Sequence, residues 1–134
     1  MRTATFFPAP HHPYHVGRSV ADFHLSNVPA EWVLRAAHAF AAERGMAIRT
    51  WSPIHLLLTS GSVLWTGTRN LSFATWSVPG GANVHIEAWV EGMGEFNADP
   101  GSVFGLFPRR DMWDIASALV ARLGVNPGAV FRHH

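Results

Sequence analysis

The stretch Asn83-Val84-His85-Ile86-Glu87-Ala88-Trp89-Val90-Glu91 carries the clearest structural signal in this 134-residue sequence. Two kinds of side chain alternate along it, which is the period-two pattern of a β-strand with one buried face. The expected inward side chains are Val84, Ile86, Ala88 and Val90. The opposite side would carry His85, Glu87, Trp89 and Glu91, so the sequence predicts a sheet with one apolar face and one chemically mixed face.

Shorter strand patterns lie on both sides of this stretch. We predict strands over residues 19–25, 46–51, 54–59, 63–66 and 71–78. Met46 and Ile48 are expected to face inward. Ser60-Gly61-Ser62 and Pro79-Gly80-Gly81 are typical of tight turns and predict two hairpins.

Two segments have the features of amphipathic helices. Ser26 or Asn27 can accept the free N–H groups of a helix that runs to Arg44 and stops at Gly45. The second helix is predicted over residues 109–123, because apolar residues recur there in steps of three and four. That stripe consists of Met112, Ile115, Ala116, Leu119, Val120 and Leu123.

The order of these elements predicts an α+β fold. It is β-α-β-β-β-β-α with room for one extra short strand, so we expect an antiparallel sheet of about five strands with both helices on one face. The order resembles the TATA-binding-protein-like and helix-grip folds, which implies that the first strand pairs with the last. We expect residues 1–18 to form an extended arm rich in proline and histidine, residues 19–124 one domain, and residues 125–134 a short, loose tail.

Composition excludes several classes of function. The chain has no cysteine, which rules out disulfides, thiolate metal sites and a cysteine nucleophile. The formal net charge is only +1 and no cationic cluster is present, which argues against nucleic-acid binding. No window approaches the roughly 18–20 apolar residues of a membrane span. We therefore expect a cytoplasmic protein, and no sequence motif calls for a cofactor.

The mixed face of the sheet holds the first candidate site. If the first and last strands pair, Asp22 and His24 lie beside His85 and Glu87. Two imidazoles with a carboxylate can bind a first-row metal, and His24, His85 and Glu87 are the candidate ligands. The same groups could instead transfer protons. The alternative that we favour is a solvated polar face or a subunit contact without chemistry.

Tryptophans on the same face form the second candidate site. Trp51, Trp76 and Trp89, with Glu91 beside them, are expected to contact a partner protein or an apolar ligand. Base stacking is the less favoured alternative, because the neighbouring Glu87 and Glu91 would repel phosphate.

Two weaker candidates lie outside the sheet. Arg109 and Arg110, near the start of the last helix, could contact an anion, although the interpretation that we favour is two solvated arginines. The segment His11-His12-Pro13-Tyr14-His15 could bind a metal, but its proline prevents a preformed helical pair of ligands.

These observations leave three functions open, and no catalytic residue is assigned. The first is a non-catalytic interaction or assembly subunit, self-associating or partner-binding through the face that carries the tryptophans. The second is a helix-grip-type domain that encloses a small apolar ligand between sheet and helix. The third is a small enzyme based on His24, His85 and Glu87, with or without a metal.

Overall fold

In a computed structural model, the described residues are 17–62, 67–92, 94–103 and 105–134. Residues 1–16 of the expected arm lie outside the described residues. The strands are β1 (Ser19–Ser26), β2 (Ala47–Ser52), β3 (His55–Ser62), β4 (Gly67–Val78), β5 (Gly81–Glu91), β6 (Glu95–Asn97) and β7 (Phe131–His133). The helices are α1 (Ala30–Glu43), α2 (Leu106–Arg122) and α3 (Pro127–Val130).

The strands form one antiparallel sheet with the order β2-β3-β4-β5-β1-β7, and β6 pairs with the end of β5. The first strand pairs with β5, as the topological resemblance implied, so that Ala21 lies opposite Ile86 and Asp22 opposite His85. The Pro79-Gly80 turn joins β4 to β5, whose register runs from Val78↔Gly81 to Thr68↔Glu91. Together the two pairings place His85 between Asp22 of β1 and Ala74 of β4.

The core lies between the sheet and the two long helices. Val84, Ile86 and Ala88 point into it, as the alternation along β5 predicted. The helices contribute an apolar stripe each, consisting of Val33, Ala37, Phe40 and Ala41 from α1 and Met112, Ile115, Ala116, Leu119 and Val120 from α2. The expected α+β two-layer sandwich is therefore confirmed, and its sheet has seven strands in the described part of the chain where about five were expected. None of the helices in the described ranges is both long and apolar enough to span a bilayer.

The first predicted hairpin turn is wrong. Ser60 and Gly61 belong to β3 and pair with Arg69 and Thr68 of β4. Serine and glycine resemble turn residues in sequence, but ladder hydrogen bonds to a neighbouring strand override that local preference. The predicted strand over residues 63–66 lies outside the described part of the chain.

Both helix starts differ from the predictions. Pro29 occupies the N-cap of α1 and no side chain of that residue caps the helix; the Ala30 N–H instead donates to Ser77 Oγ of β4 at 3.2 Å. The predicted cap from Ser26 or Asn27 is therefore wrong, because β1 continues through Ser26. The second helix begins at Leu106, three residues before the expected start.

Two further expectations about burial and order fail at the edges of the sheet. Ile48 was expected to face inward but is 37% exposed, because β2 is an edge strand. Met46, the residue before β2, is buried as predicted. The expected loose tail is ordered into α3 and β7, and β7 pairs with β1 through Phe131↔Ala21. Phe131 packs on the core and meets the Trp113 ring edge-on, with 5.4 Å between ring centroids.

Candidate functional site

The outer face of the sheet, meaning the face that points away from α1 and α2, is buried at its centre. The sequence predicts that it is open to solvent, and the structure corrects this expectation. His85 is 8% exposed, Trp89 3% and Glu87 0%. Alternation along a strand shows which residues share a face but not whether that face is covered, so this burial could not be predicted from the pattern.

A chain of hydrogen-bonded charges crosses the outer face around His85. The Nδ1 of His85 lies 2.6 Å from Asp22 Oδ1, and the Nε2 of the same ring lies 2.9 Å from Glu87 Oε2. Burial disfavours the charged imidazole, but the hydrogen bonds and charges of the two carboxylates outweigh it and raise the pKa of His85 to about 9. Both ring nitrogens then donate, and His85 is an imidazolium at neutral pH.

Arg18, the residue before β1, continues this network. Its Nη1 donates to Glu87 Oε1 at 3.2 Å and its Nη2 to Glu95 Oε1 at 3.3 Å. The guanidinium carbon also lies 3.4 Å from the ring centroid of Trp89, a cation–π stack. Arg18 is only 1% exposed, so its charge is held inside the protein by two carboxylates and one indole.

The candidate metal ligands do not converge. His24 bonds through Nδ1 to Asn83 Oδ1 at 3.0 Å, and both ring nitrogens of His85 already face carboxylate oxygens. Within the described ranges, no group of three or more His, Cys, Asp or Glu side chains is placed to hold a metal ion. The structure does bring Asp22, His85 and Glu87 together, but as an ion-paired network.

A recess of about 330 Å³ lies on the outer face beside this network. It crosses the sheet, since β2, β3, β4, β5 and β6 all contribute to its walls. Its lining residues are Arg18, Arg49, Trp51, Leu57, Asn70, Trp89, Glu91 and Glu95. The volume is at the lower end of the range of about 300–1,000 Å³ that is typical of small-molecule sites.

Two residues that line this recess each have a buried N–H donor without a hydrogen-bond partner among the described residues. The donors are Nε of Arg18 and Nε1 of Trp89. The guanidinium carbon of Arg18 lies 3.4 Å from the ring centroid of Trp89, so the two donors belong to side chains in direct contact. Leaving a buried donor unsatisfied costs about 1–3 kcal/mol, which makes such a pair unusual in a folded protein.

The three predicted interaction tryptophans occupy the outer face in different settings. Trp89 and Trp51 line the recess, and Trp51 meets the ring of His55 edge-on with centroids 4.7 Å apart. Trp76 is half-buried further along β4 and is not among the lining residues. Glu91 lines the recess and accepts a hydrogen bond from Asn70 Nδ2 at 2.9 Å.

The predicted anion contacts separate from each other. Arg109 donates through Nη1 to Asn97 Oδ1 at 3.0 Å, and its guanidinium carbon lies 5.0 Å from the Phe96 ring centroid. Arg109 therefore ties α2 to β6, whereas Arg110 is exposed on the helix surface. Nothing in the structure brings the two side chains to a common ligand, and the anion contact stays a prediction.

A buried histidine–serine pair lies elsewhere on the outer face. His55 Nε2 is 2.6 Å from Ser72 Oγ, and the two side chains are 5% and 2% exposed. Neither residue lines the recess. The pair satisfies two buried polar groups and holds β3 to β4.

Several residues of the recess were not identified from the sequence. Arg18 falls in the predicted arm, Arg49 is one of ten arginines, and Glu95 lies in a segment that resembles a loop. The only signal for Arg18 is its position next to the first strand. Strand pairing, which no local pattern encodes, brings these residues together.

Comparisons with known proteins matched no family model, no curated protein and no solved structure. The chemistry of the recess therefore carries the functional interpretation.

Proposed function

We propose that this chain is a non-catalytic binding domain that holds a small molecule in the recess on the outer face. The observation that carries this proposal is the presence of Trp51 and Trp89 in a recess of about 330 Å³ rather than on a flat surface. Aromatic walls with a few polar groups are typical of small-molecule sites. The site differs from the helix-grip expectation, because it lies on the far side of the sheet from the helices.

The state of the ionisable groups supports binding without catalysis. A general base needs a free lone pair near a substrate, and both nitrogens of His85 face carboxylates instead. The carboxylate of Glu87 is in turn shared between His85 and Arg18. The enzyme hypothesis gains no support from this geometry.

A screen of small ring compounds by ligand-observed NMR tests the proposal. Leu57→Trp would place a larger side chain in the recess, and Ile54→Trp adds a tryptophan at a 38% exposed position outside it. We expect compounds that bind the native protein to lose binding to Leu57→Trp and to keep it with Ile54→Trp. A screen without binders, or binders indifferent to Leu57→Trp, would overturn the proposal.

A second candidate function is an assembly subunit that associates through Val103 and Phe107, and not through the tryptophan-bearing face that the sequence favoured. Val103 is 79% exposed and Phe107 77%, and exposed apolar side chains mark contact surfaces when they form one contiguous patch. Light scattering tests this candidate with the double variant Val103→Ser, Phe107→Ser and with Arg110→Ser as the control. A native oligomer that only the double variant dissociates would support it, and a native monomer would count against self-association.

A further inference from the structure

We propose, building on the proposed function, that the recess selects a neutral ring compound carrying a carbonyl or ring-nitrogen acceptor next to an N–H donor. Aromatic amides and nucleobase-like heterocycles belong to this class. Four features of the recess lead to this chemistry: its unpaired donors, its charge balance, its aromatic walls and its carboxylates.

The unpaired donors require an acceptor. Arg18 and Trp89 line the recess, and their donors Nε and Nε1 are buried next to it without a hydrogen-bond partner in the described part of the chain. Both are N–H groups that can only donate, so the group that satisfies them must carry a lone pair. A purely apolar ligand would leave both donors unsatisfied and would be selected against.

The charge balance favours a neutral acceptor over an anion. The lining holds two arginines, Arg18 and Arg49, against two carboxylates, Glu91 and Glu95. The charge of Arg18 is already offset by Glu87 and Glu95, which accept hydrogen bonds from its two Nη groups. An added carboxylate or phosphate beside Arg18 would therefore meet those acidic groups at short range, with Arg49 as the one further cation among the lining residues.

The walls favour a flat ring. Trp51 and Trp89 supply aromatic surface and Leu57 an apolar patch on β3. Ring compounds gain from stacked or edge-on contacts with such side chains. The same recess contains carboxylate acceptors in Glu91 and Glu95 that can receive an N–H of the ligand, since a carboxylate offers about four lone-pair sites.

Three probes with one ring separate these requirements: benzamide, benzoate and toluene. Benzamide is neutral with an acceptor and a donor, benzoate is an anionic acceptor, and toluene has neither group. Binding is followed through the indole N–H signals of the six tryptophans in the ¹⁵N-labelled protein. Trp89→Phe identifies the signal of Trp89, because it removes that N–H and keeps an aromatic ring.

We expect benzamide to shift the Trp89 signal saturably and to bind about tenfold more tightly than toluene or benzoate, as one to two net hydrogen bonds imply. Equal binding of toluene would overturn the acceptor requirement while the recess stayed a binding site. Tighter binding of benzoate would overturn the requirement for neutrality. Failure of all three probes to shift Trp89 would overturn the ligand class, and the ring-compound screen would decide separately whether the recess binds anything.

Two variants test the individual donors. Arg18→Lys keeps the charge and removes Nε–H, and Trp89→Phe removes the indole N–H. We expect each to weaken benzamide binding about fivefold more than it weakens toluene binding, because only benzamide loses a hydrogen bond. Trp32→Phe, on the exposed side of α1, is the control and should change neither. If one variant does not fold, the other still tests its own donor, and unchanged benzamide affinity in a folded variant would overturn the assignment.

Discussion

The guanidinium carbon of Arg18 lies 3.4 Å from the ring centroid of Trp89, and this stack joins the charge network of the outer face to the recess. On one side Arg18 satisfies the buried carboxylate of Glu87. On the other it forms part of the recess wall with Trp89. The stability of the sheet and the shape of the proposed site therefore depend on the same side chain.

Replacing Arg18 by alanine should destabilise the protein strongly. The substitution removes one of the two cations that face the buried carboxylate of Glu87 and leaves only His85, and breaking a buried ion pair costs about 3–5 kcal/mol. Urea denaturation of the native and variant proteins measures the loss. Arg122→Ala removes an exposed bidentate pair with Glu43 and should cost much less. Equal losses in the two variants would contradict the account of Arg18.

The part of the unfolding free energy that protonated His85 contributes should be lost as the pH rises through about 9. The pKa of His85 rises from 6.5 to about 9 on folding, so the stabilisation is complete below pH 6.5 and disappears as the folded protein loses the proton. The difference in unfolding free energy between the native protein and His85→Gln should shrink by about 3 kcal/mol between pH 6 and pH 10.

The matched control for this pH dependence is His24→Gln. His24 is exposed and its ring bonds to the neutral amide of Asn83, so this substitution removes a histidine of the same face and keeps the Asp22–His85–Glu87 network intact. NMR of the His85 ring gives its titration midpoint directly. A midpoint near 6.5 would show that Asp22 and Glu87 do not hold the imidazolium.

Ser77→Ala should weaken the start of α1. The hydroxyl of Ser77 accepts the N–H of Ala30, and loss of a helix cap costs about 0.5–2 kcal/mol. Ser26→Ala is the control, because the sequence pattern favours Ser26 as the cap whereas no side chain caps α1 at its N-cap residue in the structure. We expect Ser26→Ala to change the stability less than Ser77→Ala does. Thermal unfolding of both variants distinguishes them, and a larger loss in Ser26→Ala would restore the sequence-based cap.

Phe131→Ala should reveal that the end of the chain is part of the fold. Phe131 is 9% exposed, belongs to the core cluster and stacks edge-on with Trp113. Removing a buried phenylalanine ring costs about 3–5 kcal/mol. Arg132→Ala, at an exposed neighbouring position, should change the unfolding free energy little. A loss below about 0.5 kcal/mol in Phe131→Ala would support the loose tail that the sequence suggests.

Local patterns predicted the parts of this fold that depend on periodicity. The alternation along β5 placed Val84 and Ile86 in the core, and the stripe on α2 placed Leu119 there. Positions set by the rest of the chain were not predictable in this way. Ile48 has the pattern of an inward residue, but its strand lies at the edge of the sheet and leaves it 37% exposed.

The candidate site was predicted only in part, for a related reason. Trp51 and Trp89 were identified because large aromatics on a polar face need an explanation. Arg18 and Glu95 were not, because they are 77 positions apart in sequence and meet only through strand pairing. The unpaired state of Arg18 Nε and Trp89 Nε1 depends on exact side-chain placement, which composition and spacing do not contain.

A crystal structure of the protein with benzamide tests the central claim most directly. We expect the ring beside Trp51 and Trp89, with the carbonyl oxygen about 3 Å from Trp89 Nε1 or Arg18 Nε. Benzamide bound elsewhere, or bound in the recess with both donors still unpaired, would contradict the account.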